Sequence, residues 1–145
     1  YLGEGKPEVS ESSIKESVRI AEYIMAPMGL SFILFPELYL FIFTDDPKII
    51  EMGAFGLRII GALQFADAIG FVLWFALSGA GNTIFPAMVE AILTWVVIVL
   101  GSYLIGVYFS LGFKALWLLF PIYMGLFAGI MLWKINQGDW KEIKV

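Results

Sequence analysis

The stretch LRIIGALQFADAIGFVLWFALS, Leu57–Ser78, decides the class of fold. It is predominantly apolar, with Arg58 at its start and a single charge, Asp67, in its interior. As an α-helix it extends about 33 Å, and the hydrocarbon core of a bilayer is about 30 Å thick. Three more runs pass the same test. Val18–Phe35 continues, after Pro36-Glu37, into Leu38–Phe43. Phe85–Phe109 contains one charge, Glu90, and Ala115–Trp133 contains none. Between the runs lie short breaks: Phe43-Thr44-Asp45-Asp46-Pro47, Gly79-Ala80-Gly81-Asn82-Thr83 and Ser110-Leu111-Gly112-Phe113-Lys114. Each holds capping or turn residues, and Pro47 and Pro86 suit first helical turns. Loops this short join antiparallel neighbours. The expected fold is all-α and integral to a membrane, with four antiparallel transmembrane helices over residues 18–43, 47–78, 84–109 and 115–134.

Composition points the same way. Hydrophobic residues make up 60% of the 145 and charged residues 15%, against about 25% charged in soluble domains. Mean hydropathy is +0.86. A soluble domain of this size has too little interior to hide so much apolar surface. The chain has no cysteine and no histidine, which excludes a disulfide scaffold and any histidine-based catalytic or metal site. A net charge of −4 offers no basic patch for nucleic acid.

Lysine and arginine give an orientation. Lys6, Lys15, Arg19, Lys134, Lys141 and Lys144 fall on the side holding both termini, against Lys48 and Lys114 opposite. Both termini are therefore expected in the cytoplasm, with the chain multi-pass in the cell (inner) membrane. Trp133, Trp140, Tyr108 and Tyr39 fall near span ends, where interfacial anchors belong. The chain opens on Tyr1, two residues before a turn-like Gly3–Pro7 segment, and is expected to be part of a longer chain that retains its own C-terminus.

Polar residues inside the spans carry the functional reading. Asp67 falls near the midplane, where an ionised carboxylate costs at least about 3 kcal/mol and normally faces a cavity or partner. Gln64, three residues earlier, shares its face, which Gly70, Phe71 and Trp74 extend. Arg58, nine positions back, falls on the opposite face. Asp67 is thus expected to be protonated, cation-bound, or paired outside this chain. A site for H⁺ or Na⁺ is the functional reading, and one interhelical hydrogen bond the plainer one. Glu90 stays open between a cytoplasmic vestibule, snorkelling and a bond to Thr94, and Glu22 is read as interfacial. Gly125 and Gly129 form a Gly-x-x-x-Gly pair suited to close helix packing.

Several motifs together resemble a known family. Leu2-Gly3-Glu4-Gly5-Lys6-Pro7-Glu8, Leu34-Phe35-Pro36-Glu37, Phe43-Thr44-Asp45-Asp46-Pro47 and Leu57-Arg58-Ile59-Ile60 occur in order. Gly79-Ala80-Gly81-Asn82-Thr83, Phe85-Pro86, Trp95, Tyr103, Trp117, Pro121 and Gly138-Asp139-Trp140-Lys141 follow at matching spacing. The whole run resembles the C-terminal part of multidrug and toxic compound extrusion (MATE) transporters of the NorM-like branch. The resemblance implies a transporter rather than an enzyme, built as a twelve-helix bundle of two lobes. Residues 1–145 would then supply helices nine to twelve, with helices one to eight of the same transporter as partners alongside the lipid bilayer. It implies export of small organic cations in exchange for H⁺ or Na⁺, with no other cofactor. Gln64, Asp67 and Thr83 match the spacing of the family's cation site. Asp67 would be the coupling carboxylate, with Na⁺ as its metal if the protein is sodium-coupled, and Gln64 its neighbour. Phe71, Trp74, Trp95 and Glu90 are candidate substrate or vestibule residues. Departures from the family pattern at Leu63, Leu73, Ser78, Asn82, Ile98 and Leu100 bear on the ion's identity and its coordination.

Alternatives from the residues are a lipid-linked oligosaccharide flippase, a non-transporting membrane fragment and an intramembrane aspartyl protease. The flippase reading suits basic cavities, whereas the buried charges here are mostly acids. The protease needs two facing aspartates, and only Asp67 is at midplane.

Overall fold

The computed structural model describes residues 1–143; Lys144, counted above in the charge bias, lies outside the described residues. Four long helices dominate: α1 (Pro7–Leu34), α3 (Pro47–Gly79), α4 (Ile84–Tyr108) and α5 (Phe113–Gln137), each long and apolar enough to cross a membrane. A short helix, α2 (Pro36–Leu40), lies between α1 and α3. A 3₁₀ turn, Asp139–Glu142, follows α5.

The first span, expected as one helix over 18–43, differs in two ways. It begins at Pro7, because Glu8 to Ser17 continue the helix as a polar extension beyond the apolar run. It ends at Leu34, because Pro36 has no backbone N–H to donate and disfavours helical geometry at the residue before it. Phe35 accordingly sits at φ −130°, ψ 44°. The other spans fall within a few residues of expectation. Asp46 caps α3, accepting a hydrogen bond from the Lys48 backbone N–H at 2.8 Å, with Pro47 in the first turn. Gly81, at φ +90°, makes the turn into α4, a conformation that side chains disfavour. The second half of α4 runs through two π-helical stretches, Thr94–Leu100 and Leu104–Tyr108.

The central element is α3, packed on α1 along one flank and on α5 along another. Small residues on α3 set both crossings. A Cβ on Gly61 would stand 2.6 Å from the Gly29 carbonyl oxygen of α1. On the α5 side, Gly56 receives the Trp117 ring, and a Cβ on Gly70 would stand 2.7 Å from Phe127. These pairs run in the same direction along both chains, so α3 and α5 are parallel, as alternating crossings require. Close approach at glycine replaces the hydrophobic drive that lipid does not supply. Gly125 and Gly129, expected to pack closely, instead have nothing within 4 Å of an added Cβ among the described residues. The rotation of α5 is set by Trp117 and Phe127, which turns the Gly-x-x-x-Gly pair outward.

The end carrying both termini holds a compact cluster of Leu73, Leu77, Ala80, Leu93, Phe127, Met131 and Trp140. Trp140, expected as an interfacial anchor, is only 2% exposed. The 3₁₀ turn folds it back under α5, where its Nε1 donates to the Ile135 carbonyl at 3.0 Å. Lys141, beside it, bonds Glu11 on the polar extension of α1. Elsewhere the bundle presents apolar side chains outward, including Phe65, Phe75 and Val107, as a lipid-facing surface should.

Candidate ion-binding site

On α3, the spacing Ile60, Leu63, Gln64, Asp67 advances by three or four residues and forms one stripe. The structure turns this stripe toward α5. Ile60, Leu63, Gln64 and Asp67 line a cavity of about 30 Å³, closed from the other side by Phe120 and Met124. That space suits one water molecule or one small cation. Gln64 Oε1 and Asp67 Oδ1 are both shielded, and neither has a hydrogen-bond partner among the described residues. The Gln64 stem also packs beside Gly29, so the close crossing of α1 and α3 fixes its base.

No basic group neutralises Asp67 among the described residues. Arg58 is held at the other end of the bundle, where its Nη2 donates to Glu37 Oε1 of α2 at 2.7 Å. This pair was not visible in the sequence, because it joins residues across the Pro36 break. Tyr39 fastens the same corner: its hydroxyl is 2.8 Å from Ser31 Oγ and its ring meets Phe32 edge-on.

The remaining candidates lie away from the cavity. Phe71 faces outward, with its ring 5.9 Å from that of Phe127. Trp74 is half-buried, meets Phe75 edge-on, and has no partner for its indole N–H among the described residues. Trp95 is 69% exposed on α4. Glu90 is half-buried and does not line the cavity, and its side chain makes no bond to Thr94. Two of the residues named for chemistry, Gln64 and Asp67, are therefore brought together, and the four named as vestibule or wall are not. The α3 walls were implicit in the stripe from Ile60 to Asp67. Phe120 and Met124 carried no such signal, since the facing side of α5 depends on its packing.

Within this chain the cavity is lined by one carboxylate residue, Asp67, and one amide residue, Gln64. No group of three or more His, Cys, Asp or Glu residues that could hold a metal ion occurs among the described residues. The arrangement can hold a proton on Asp67. It can also contribute two ligands to a cation completed from elsewhere.

Comparison with known proteins gives the family of the chain. The MatE family model matches residues 1–104. The "Probable multidrug resistance protein NorM" of Thermotoga maritima is 33% identical over 118 residues, covering 81% of this chain and 25% of that protein. The chain thus spans about a quarter of the length of this relative. No solved structure matches it. With four apolar helices of spanning length and a family match over most of its residues, this multi-pass membrane chain belongs to the MatE family.

Proposed function

We propose that this chain is part of the C-terminal lobe of a twelve-helix secondary antiporter, exporting organic cations in exchange for H⁺ or Na⁺. Asp67 is the coupling carboxylate and Gln64 its neutral neighbour. One observation carries the reading: Asp67 and Gln64 together line a cavity of about 30 Å³, and Asp67 Oδ1 and Gln64 Oε1 are shielded with no hydrogen-bond or basic partner among the described residues. A carboxylate so placed is stable when protonated or when a cation sits beside it. The change between those states is the differential interaction that moves a conformational equilibrium. The multidrug resistance protein named above supports a drug-like substrate. A proton suits the two-oxygen donor set with no further ligand, whereas Na⁺ would take oxygens from the rest of the transporter. The lysine and arginine bias supports a cell-membrane protein with both ends of this chain cytoplasmic. Transport then follows rocking of lobes about a midplane site, as in other repeat-built transporters.

The test is Asp67→Asn in the full-length transporter, assayed for ion-driven dye efflux in membrane vesicles. The expected result is loss of efflux to background with normal membrane levels. Wild-type efflux from that variant would overturn the reading.

A further inference from the structure

Glu22 is a half-buried acid that does not line the Asp67 cavity. It lies fifteen residues into α1, about 22 Å from its start. Both of its carboxylate oxygens are shielded, and neither has a hydrogen-bond partner among the described residues. Because α1 starts at Pro7 rather than Val18, Glu22 lies about four turns from the helix N-terminus.

The register of α1 on α3 places it further. Val18, Glu22, Met25 and Gly29 recur every three or four residues and share a stripe of α1. Gly29 presses on Gly61 of α3, and the two helices are antiparallel. Seven residues back from Gly29 is Glu22, and seven residues on from Gly61 is Ala68. Glu22 thus lies level with Ala68, within about 1.5 Å of rise of Asp67. Two acids share one depth, yet Glu22 is not among the residues that line the Asp67 cavity.

The charged groups around Glu22 are otherwise engaged. On α1, Arg19 pairs with Glu16 and lies over the Tyr23 ring, and Lys15 pairs with Glu11. The elements packed on α1 are α2 and α3. The charge on α2 is Glu37, which holds Arg58. Besides Arg58, α3 carries Asp67 at this level, with Lys48 and Glu51 near its far end. Among the described residues no cation meets Glu22, and its stripe offers no further oxygen donor for a metal ion. A proton is the ligand this setting accepts, since it removes the charge without needing a partner.

We propose that Glu22 is a second proton-binding carboxyl of the protein, at the depth of Asp67 and separate from its cavity. This goes beyond the antiport reading, because a proton on Glu22 does not depend on Asp67 carrying the driving ion. The test uses the full-length protein in lipid vesicles and dicyclohexylcarbodiimide, an apolar reagent that modifies protonated carboxyls within a membrane. Adducts are mapped by peptide mass spectrometry at acid and alkaline pH. The expected result is an adduct on Glu22 that is lost at alkaline pH, is retained in Asp67→Asn, and disappears in Glu22→Gln. Absence of that adduct at every pH would mean an ionised, paired Glu22 and would overturn the proposal. Its loss in Asp67→Asn would mean one shared site, and would overturn it as well.

Discussion

Gly29 of α1 and Gly61 of α3 meet backbone to backbone: a Cβ on either would press against the carbonyl oxygen of the other. The contact fixes the α1–α3 register and sets the base of Gln64, whose Cβ would be 3.0 Å from a Cβ on Gly29. A larger residue cannot be absorbed by side-chain adjustment, because the obstacle is main chain. Gly29→Leu in the full-length protein should therefore separate the helices and cost about 1–3 kcal/mol or more, read as a lowered melting temperature in detergent. Gly79→Ala, where a Cβ meets nothing within 4 Å, should melt like the wild type. Equal melting of the two variants would contradict the crossing.

Gln64 has a narrower part to play than Asp67. It cannot titrate, and it adds one neutral oxygen to the cavity. A neutral hydrogen bond is worth about 0.5–1.5 kcal/mol, so Gln64→Ala should weaken apparent affinity for the coupling ion a few-fold while export persists. Ion titration of the efflux rate measures this. Complete loss of efflux in a well-inserted Gln64→Ala protein would assign Gln64 a larger role.

Trp140 closes the end of the bundle where both termini lie, packed with Leu77, Ala80 and Met131. Removing a buried tryptophan ring costs about 3–5 kcal/mol. Trp140→Ala should therefore lower thermal stability markedly and expose the α5 terminus to protease. Trp133, 57% exposed on α5, should tolerate the same change with little loss. The contrast between the two variants is the readout.

The four spans were legible because a bilayer demands long apolar runs, which no packing detail can disguise. The pairing of Gln64 with Asp67 was legible for a similar reason: residues three apart on a helix share a face. The faces of α4 and α5 were not legible. Their rotation is chosen by contacts such as Trp117 on Gly56 and Phe127 on Gly70, so Phe120 and Met124 went unnoticed and Gly125 and Gly129 were misassigned. Trp140 was misread because hydropathy cannot distinguish an anchor from a plug. The start of α1 was misread because the helix continues through polar residues that a hydropathy window ignores.

Orientation can be checked from residues near the two chain ends. Ser10 lies on the polar extension of α1 and Asn136 in the last turn of α5, so both belong to one side of the membrane. Cysteines introduced at Ser10 and Asn136, in a full-length protein lacking other reactive cysteines, should react with an impermeant maleimide only in inside-out vesicles. Reaction from outside intact cells would reverse the assigned topology.

On the proposed antiport reading, charge and size together predict the substrate class. The Asp67 cavity, at about 30 Å³, has room for one small ion, whereas pockets for drug-sized ligands run to about 300–1,000 Å³. On that reading an organic substrate would sit outside this cavity and sense Asp67 through its charge. With Asp67 ionised, a lipophilic cation is attracted. With Asp67 neutralised, that attraction is gone and the cation is released. Aromatic rings such as Phe71, which faces outward from α3, can add cation–π contacts of about 0.5–2 kcal/mol. An anion gains nothing from either state. In the full-length transporter, efflux of an ethidium-like dye should be inhibited by other organic cations and weakened by excess coupling ion at the cytoplasmic face, while anionic dyes of similar size leave it unchanged. Export of the anions with indifference to the cations would contradict both the acidic site and the substrate class.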